Sequence, residues 1–183
     1  LSFSAMESGQ LQLTVKPTEW EPIIKEIHSQ FATAAETRGL YLKRVTSAGT
    51  SDYILADPMA LRQILTNLLG NAIKFTESGG IQIEIESTAS NTLRISVMDT
   101  GRGISEEEQT QIFEPYHRGS NSISGKSGQG AGLGLAICRS LAQQMNASLI
   151  LESQVGKGSS FSLELPVVSK LDSNPVKKLK QVG

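Results

Sequence analysis

The stretch LRQILTNLLGNAIKFT, residues 61–76, decides the fold because it has the pattern of one long amphipathic helix. Its apolar residues recur at the spacing of a single helix face: Leu61, Ile64, Leu65, Leu68, Leu69, Ala72 and Ile73. Asp57 and Pro58 just upstream are typical of a helix start. We therefore expect a helix over 57–76, with its apolar face covered by a sheet or by other helices.

The opposite side of this helix carries a polar stripe. Gln63, Asn67, Asn71 and Lys74 fall within one arc of the surface, with Gly70 beside them. Amide oxygens suit Mg2+, which keeps several waters and shares the rest of its shell with phosphates. A lysine ammonium can serve as a point charge on a phosphate. The stripe indicates a site for a metal-bound phosphate chain, and an ordinary solvated helix face is the alternative.

Segments on both sides of this helix have the patterns of strands and shorter helices. Alternating residues predict a hairpin over 80–87 and 92–99 with Asn91 in its turn, and a second over 148–153 and 159–166 turning at 156–158. Strands are also predicted at 11–15, 40–45 and 52–56, and a second long helix over 132–146. Capping pairs predict two further helices: Thr18 with Glu21, ending at Gly39, and Ser105 with Glu108, ending near Phe113.

This order of elements predicts an α+β fold. Few helices separate the strands, so the sheet should be mixed and mostly antiparallel, with about three helices on one face. The result is a two-layer α/β sandwich. We expect one domain over 11–168, preceded at 1–10 by the end of an upstream dimerisation helix or linker. Residues 169–183 lack an apolar period and are expected to be a linker or disordered tail.

Composition excludes several classes of protein. The chain has 183 residues with 17 Lys and Arg against 18 Asp and Glu, so no bulk charge points to nucleic acid or membrane. A single cysteine, Cys138, excludes an internal disulfide framework, and we expect it to be a small core residue. No stretch has the length of a membrane span and no signal-peptide pattern begins the chain. We expect a soluble, cytoplasmic piece cut from a longer protein that could itself be membrane-anchored.

Two glycine-bearing segments carry candidate binding chemistry. In DTGRGI (99–104), Asp99 can accept a hydrogen bond from an exocyclic amine such as that of adenine, while Gly101 and Gly103 leave room for a flat ring. A simple strand-to-loop turn is the alternative. In GQGAGLGLAI (128–137), alternating glycines run into an apolar helix, whose N-terminal N–H groups favour phosphate. A flexible linker is the alternative there.

A long polar loop separates these segments. Its length within a compact domain is typical of a lid or binding loop. Arg118 and Lys126 are candidate phosphate contacts, with solvated side chains as the alternative. Ser159, in the last hairpin, is a weaker candidate for a water-mediated contact to a base.

Taken together, these motifs resemble the catalytic ATP-binding domain of sensor histidine kinases, within the wider gyrase and mismatch-repair ATPase superfamily. NLLGNAIKFT resembles the asparagine box, DTGRGI the first glycine box, FEPYHR the phenylalanine box, GAGLGL the second glycine box and GKGSSFSLELP the closing one. The similarity covers residues 11–167, and SAMESGQLQL resembles the stretch that joins the family's dimerisation helix to this domain.

The resemblance implies a role for each matching residue. Asn71 would coordinate Mg2+, Asn67 would lie beside the triphosphate of ATP, Lys74 would contact phosphate and Phe75 would line the pocket. Asp99 would bind the adenine amine, with Gly101 and Gly103 making room for the base. The phosphates would be held by the second glycine box under the lid, and Arg118 would approach the γ-phosphate. The residues expected in that box are Gly130, Gly132, Leu133 and Gly134.

The resemblance also implies partners. They are a histidine-bearing dimerisation domain of the same parent protein and a response regulator receiver domain, with no nucleic acid. The parent would be a homodimer and this chain alone a monomer. The only histidines are His28 and His117, and neither precedes an acidic residue as the family's phosphoacceptor usually does. We therefore expect the chain to bind ATP but not to phosphorylate itself.

Two functional alternatives remain, and a third is disfavoured. A hydrolytic ATPase of the same superfamily would resemble its relatives in having Glu where this chain has Asn67, and an amide cannot act as a general base. A degenerate kinase would serve only as a nucleotide-binding or signalling module. A dinucleotide-binding domain is disfavoured because no GxGxxG follows a first strand.

Overall fold

The computed structural model describes residues 12–117 and 132–168. The predictions made for the upstream helix, Arg118, Lys126, Gly130 and the tail lie outside the described residues. The strands are β1 (Lys16–Glu19), β2 (Tyr41–Thr46), β3 (Tyr53–Ala56), β4 (Gly80–Ser87), β5 (Thr92–Asp99), β6 (Ser148–Gln154) and β7 (Gly158–Pro166). The helices are α1 (Glu21–Thr37), α2 (Pro58–Phe75), α3 (Glu106–Gln111) and α4 (Gly134–Gln144).

Five strands form the main sheet in the order β2-β4-β5-β7-β6. β2 and β4 pair in parallel, and the other neighbours are antiparallel. Both predicted hairpins are present, β4–β5 and β6–β7. The sheet is therefore mixed and mostly antiparallel, as the sequence predicts.

Helices α1, α2 and α4 cover one face of this sheet. Alternate residues of the central strands are buried beneath them, as the two-residue period of a strand requires: Ile81, Ile83, Ile85, Leu93, Ile95 and Val97. The apolar face of α2 is buried against these strands. The α+β two-layer sandwich is confirmed. No helix among the described residues has both the length and the apolar character needed to cross a membrane.

Helix α2 begins where the sequence predicts. The Asp57 carboxylate accepts hydrogen bonds from the backbone N–H groups of Met59 (2.8 Å) and Ala60 (3.0 Å). Its second oxygen accepts from the N–H of Thr14 at 2.7 Å. Burial acts to raise the pKa of Asp57, but these N–H donors and Lys16 outweigh it, so the pKa is lowered. The carboxylate thus fixes both the start of α2 and the chain that precedes β1.

The prediction for the N-terminal part of the domain is wrong in two respects. Residues 12–15 of the proposed strand 11–15 are irregular, and the strand is β1, which pairs with β3. Thr18 does not cap α1: it lies within β1, and its hydroxyl is 3.0 Å from the carbonyl oxygen of Ala56 in β3. The helix begins after Trp20 without a side-chain cap. The Thr18 residue is buried within β1, and its hydroxyl lies 3.0 Å from the carbonyl oxygens of both Ala56 and Lys16, so it is not available to the N–H groups of α1.

Candidate functional site

The first cluster of candidate residues lies where β5 ends. Asp99 is the last residue of β5 and lies opposite Ser159 of β7. Its carboxylate accepts a hydrogen bond of 2.8 Å from the N–H of Gly101. Burial raises the pKa of Asp99, against the lowering effect of the backbone N–H groups of Gly101 and Ser159. A carboxylate that has already lost water can bind a ligand's N–H with little further desolvation.

The turn after β5 needs glycine because it lies directly against the end of α2. A Cβ atom at Gly101 would lie 2.6 Å from the carbonyl oxygen of Phe75 and 2.7 Å from Oδ1 of Asp99. Gly103 has a φ of +70°, and its Cα packs against the backbone of Gln154. Gly101 thus lets Asp99 lie beside the backbone of Phe75, and Gly103 lets the turn pack against β6.

The Phe75 ring lies between two cations at this end of the site. It is 43 % exposed, with Lys74 Nζ 5.0 Å and the Arg102 guanidinium carbon 5.3 Å from its centroid. These distances are those of cation–π contacts. Arg102 was not among the residues predicted from sequence, although its place between Gly101 and Gly103 was a signal that its side chain leaves the glycine turn.

Serine hydroxyl groups hold the turn in place. Ser159 is buried, and its Oγ lies 3.0 Å from Oγ of Ser153. Ser153 Oγ also accepts a 2.8 Å hydrogen bond from the N–H of Ile104. Ser159 therefore helps to hold the glycine turn in place beside Asp99. The role of Ser153 has no sequence signal, since it depends on a contact between distant parts of the chain.

The second cluster lies where α2 meets the start of α4. A Cβ atom at Gly134, the first residue of α4, would overlap the Asn67 carboxamide. Leu133 is the N-cap residue and gives no side-chain hydrogen bond to the helix. The first-turn N–H groups and the positive end of the helix dipole therefore lie beside Asn67 without a side-chain cap. Gly132 has a φ of +69° and packs against the backbone carbonyl of His117.

Helix α2 joins the two clusters. Asn67 and Phe75 are eight residues apart, about 12 Å along the helix axis, and Asn71 lies between them. Asn67 and Asn71 are half-buried and Lys74 is exposed, so the polar stripe lies outside the core. The structure thus brings Asp99 and Gly101 beside Phe75 at the end of α2, with Ser159 opposite Asp99, and Gly134 beside Asn67 further along the same helix. Arg118 and Gly130 lie outside the described residues.

The amide oxygens of the polar stripe suit a magnesium ion that is held mainly by the phosphates of a bound molecule. Residues 12–117 and 132–168 contain no group of three His, Cys, Asp or Glu side chains that could hold a metal. Mg2+ does not need such a cage, because it is commonly bound by one or two protein oxygens with waters and substrate phosphates. The half-buried Asn71 amide is the protein oxygen that the stripe offers.

Comparison with known families gives a match over residues 56–169, a range that includes both clusters. The matching family is described as "Histidine kinase-, DNA gyrase B-, and HSP90-like ATPase". The chain belongs to this ATPase family.

Similar proteins are sensor histidine kinases. The chain is 37% identical to the signal transduction histidine-protein kinase BarA of Escherichia coli (strain K12) over 96% of its own length and 19% of that protein's. It is 39% identical to the sensor protein GacS of Pseudomonas syringae pv. syringae over 91% of its length and 19% of that protein's. The chain therefore spans about a fifth of the length of these curated relatives.

Solved structures of histidine kinases share the fold. One is full-length ShkA in complex with AMPPNP, with a TM-score of 0.79, 30% identity and coverage of 91% of this chain and 34% of that one. Another is the nucleotide-free catalytic domain of ThkA, with a TM-score of 0.71, 27% identity and coverage of 86% of this chain and 100% of that one. The two-layer architecture of this ATPase-family chain is thus that of a histidine kinase catalytic domain.

Proposed function

We propose that this chain is the ATP-binding catalytic domain of a two-component sensor histidine kinase. It would hold Mg-ATP for phosphoryl transfer to a histidine on a separate dimerisation domain. The observation that carries the proposal is the side-by-side placement of Asp99, Gly101 and Phe75 at one end of the α2 stripe, with Asn67 and the start of α4 at the other. An elongated ligand with a flat amine-bearing end and an anionic end fits that arrangement.

The Asp99 cluster suits adenine. The carboxylate accepts a hydrogen bond and has none to donate when ionised, so it favours the exocyclic amine of adenine over the carbonyl of guanine. Gly101 keeps the space beside Asp99 free of side chain, and Ser159 lies directly across the strand pair. Phe75 offers an apolar ring face at the border of the same space.

The Asn67 cluster suits phosphates. The start of α4 has no side-chain cap and presents N–H groups, with Lys74 as an exposed ammonium on the same stripe. When bound, Mg2+ would neutralise phosphate charge, and Asn71 would supply its protein ligand. Phosphoryl transfer needs positioning and charge neutralisation more than covalent help from the protein. Arg118 and Gly130 would add contacts from the lid.

The acceptor of the phosphoryl group would be on a partner. His28 is half-buried, with Nε2 3.4 Å from the carbonyl oxygen of Leu42, so it faces β2 and not the stripe. The partners we propose are a histidine-bearing dimerisation domain of the parent protein and a response regulator receiver domain. The parent would be a homodimer with this domain in the cytoplasm.

Base selectivity tests this proposal. We expect the chain to bind AMPPNP more tightly than the guanine analogue GMPPNP, because adenine has a donating amine at C6, where guanine has a carbonyl that the Asp99 carboxylate would repel. Asp99→Asn should remove most of that preference, since an amide can donate as well as accept. Asp52→Asn is the matched control, because Asp52 is exposed and distant in sequence from both clusters. Equal binding of the two nucleotides by the wild-type chain would count against the assigned base pocket.

Slow hydrolysis separates this function from that of a hydrolytic ATPase. Asn67 stands where the hydrolytic relatives would have Glu, and its amide cannot take a proton from water. We expect the chain to bind Mg-ATP without appreciable turnover in a phosphate-release assay. Fast turnover would favour the hydrolytic alternative.

A further inference from the structure

The Asn67 side chain is held by a thiol from the neighbouring helix. Its Nδ2 donates a hydrogen bond to Sγ of Cys138, in the second turn of α4, at 3.2 Å. Cys138 is fully buried, and its Sγ also lies 3.9 Å from the carbonyl oxygen of Ile64, three residues before Asn67 on α2. The thiol thus connects to α2 at two points beside the polar stripe.

These contacts assign the hydrogen-bonding role of each atom of the Cys138 thiol. A thiol has one hydrogen to donate, and its sulfur is a weak acceptor. Burial raises the pKa of Cys138 to about 12, so the group keeps its proton at neutral pH. The hydrogen is directed to the Ile64 carbonyl, and the sulfur is left to accept from Asn67. An acceptor at this position selects the NH2 end of the Asn67 amide.

Selecting the NH2 end also fixes the other end of the amide. The Oδ1 of Asn67 is the atom nearest to the Cβ position at Gly134, where α4 begins. That oxygen is directed toward the start of α4, where the proposed function places the phosphates. An amide that rotated by 180° would present its NH2 group there and leave the buried sulfur facing an oxygen.

We propose that Cys138 is a positioning residue, which orients the Asn67 carboxamide so that its oxygen faces the water shell of the nucleotide's Mg2+, whose waters can donate to it. This inference rests on the proposed function and adds a residue that the sequence motifs do not include. Cys138 touches no nucleotide itself and acts through Asn67. Its burial makes it a core residue as well, so a test must separate orientation from packing.

Two substitutions separate these roles. Cys138→Ser keeps one donor for Ile64 and one acceptor for Asn67, whereas Cys138→Val fills the space without either. In the nucleotide-free chain, we expect Cys138→Val to speed solvent exchange of the Asn67 side-chain NH2 protons, measured by NMR, by about threefold or more. Cys138→Ser should keep them protected. Leu141→Val, a buried change on α4 without a polar atom, is the packing control and should leave these protons unaffected.

Nucleotide affinity gives the second measurement. We expect Cys138→Val to raise the Kd for Mg-AMPPNP by about threefold or more and Cys138→Ser to stay near wild type. In an Asn67→Ala background, Cys138→Val should have no further effect, because the amide that it positions is gone. A loss of equal size in both backgrounds would show a purely structural role and overturn the inference.

The two measurements distinguish failure of the inference from failure of the proposed function. If the wild-type chain does not bind Mg-AMPPNP, the proposed function is wrong, and the NMR exchange rates still report whether Cys138 holds Asn67. If it binds and Cys138→Val leaves both exchange and affinity unchanged, the proposed function stands and the positioning role is wrong.

Discussion

At the scale of single residues, the ionised Asp99 carboxylate lowers the stability of the folded chain but favours nucleotide binding. Burial raises its pKa, so the folded chain binds a proton more readily than the unfolded chain does. The ionised carboxylate therefore destabilises the free protein at pH values above its folded pKa, and that cost disappears as the pH falls through this value. Active-site residues often have this character.

Asp99→Asn should consequently have two effects of opposite sign. At neutral pH it should raise the free energy of unfolding of the nucleotide-free chain, measured by urea denaturation, and weaken nucleotide binding. Wild-type affinity should also fall as the pH is lowered toward the raised pKa of Asp99, because protonation removes the acceptor. This decline should begin at a pH above the usual Asp titration range and be absent in Asp99→Asn. Parallel pH profiles in the two proteins would contradict this account.

Gly101 gives a second prediction at this scale. A methyl group there has no room between the Phe75 carbonyl and Asp99, so Gly101→Ala must displace the turn or the carboxylate. We expect nucleotide affinity to fall by about tenfold or more, with a loss of stability of about 1–3 kcal/mol from overpacking. Calorimetric titration and urea denaturation measure the two effects. Unchanged affinity in a folded variant would show that the turn is not part of the base pocket.

At the scale of elements, α2 contributes to both the core and the site, and single substitutions on it test the stability of the helix. Gly70 lies on this helix with no atom within 4 Å of an added Cβ. Gly70→Ala should therefore raise the free energy of unfolding by about 0.5–1 kcal/mol, because alanine loses less backbone entropy in a helix. A lower urea midpoint for this variant would show an obstruction near the helix that the structure does not contain.

The N-cap of α2 gives a prediction with a pH signature. Asp57→Ala should lower the free energy of unfolding by about 0.5–2 kcal/mol, since Met59 and Ala60 lose their acceptor. The pKa of Asp57 is lowered in the folded chain, so its contribution is present above the unfolded pKa. It is lost as the pH falls through the folded value. The difference between variant and wild type in urea denaturation should shrink over that acidic range and stay constant above it.

The elements also show what local sequence can and cannot specify. The α2 helix and the β4–β5 hairpin follow from periodicity and turn residues, and the structure confirms both. Thr18 has the same local cue as a true N-cap, but β3 offers its hydroxyl a carbonyl that lies 38 residues away in sequence. The Asn67–Cys138 and Phe75–Arg102 contacts are equally non-local. The motifs therefore predict which residues form the site, and the tertiary contacts between them had to come from the structure.

At the scale of the whole molecule, we expect ATP binding and phosphoryl acceptance to be divided between two domains. The chain incubated with ATP labelled in its γ-phosphate should itself remain unlabelled, because His28 faces β2 and neither His28 nor His117 is followed by an acidic residue. Adding the proposed partner, a separate histidine-bearing dimerisation segment, should give labelled histidine on that segment. Asn71→Ala should abolish this transfer. Labelling of the chain alone would contradict the proposed division.

Calorimetric titration of the chain with AMPPNP, with and without Mg2+, tests the proposed nucleotide site most directly. We predict saturable 1:1 binding that Mg2+ strengthens, and loss of the Mg2+-dependent part in Asn71→Ala with the metal-free affinity kept. Absence of binding by the folded wild-type chain would contradict the account, because the two clusters along α2 would then not form a nucleotide site.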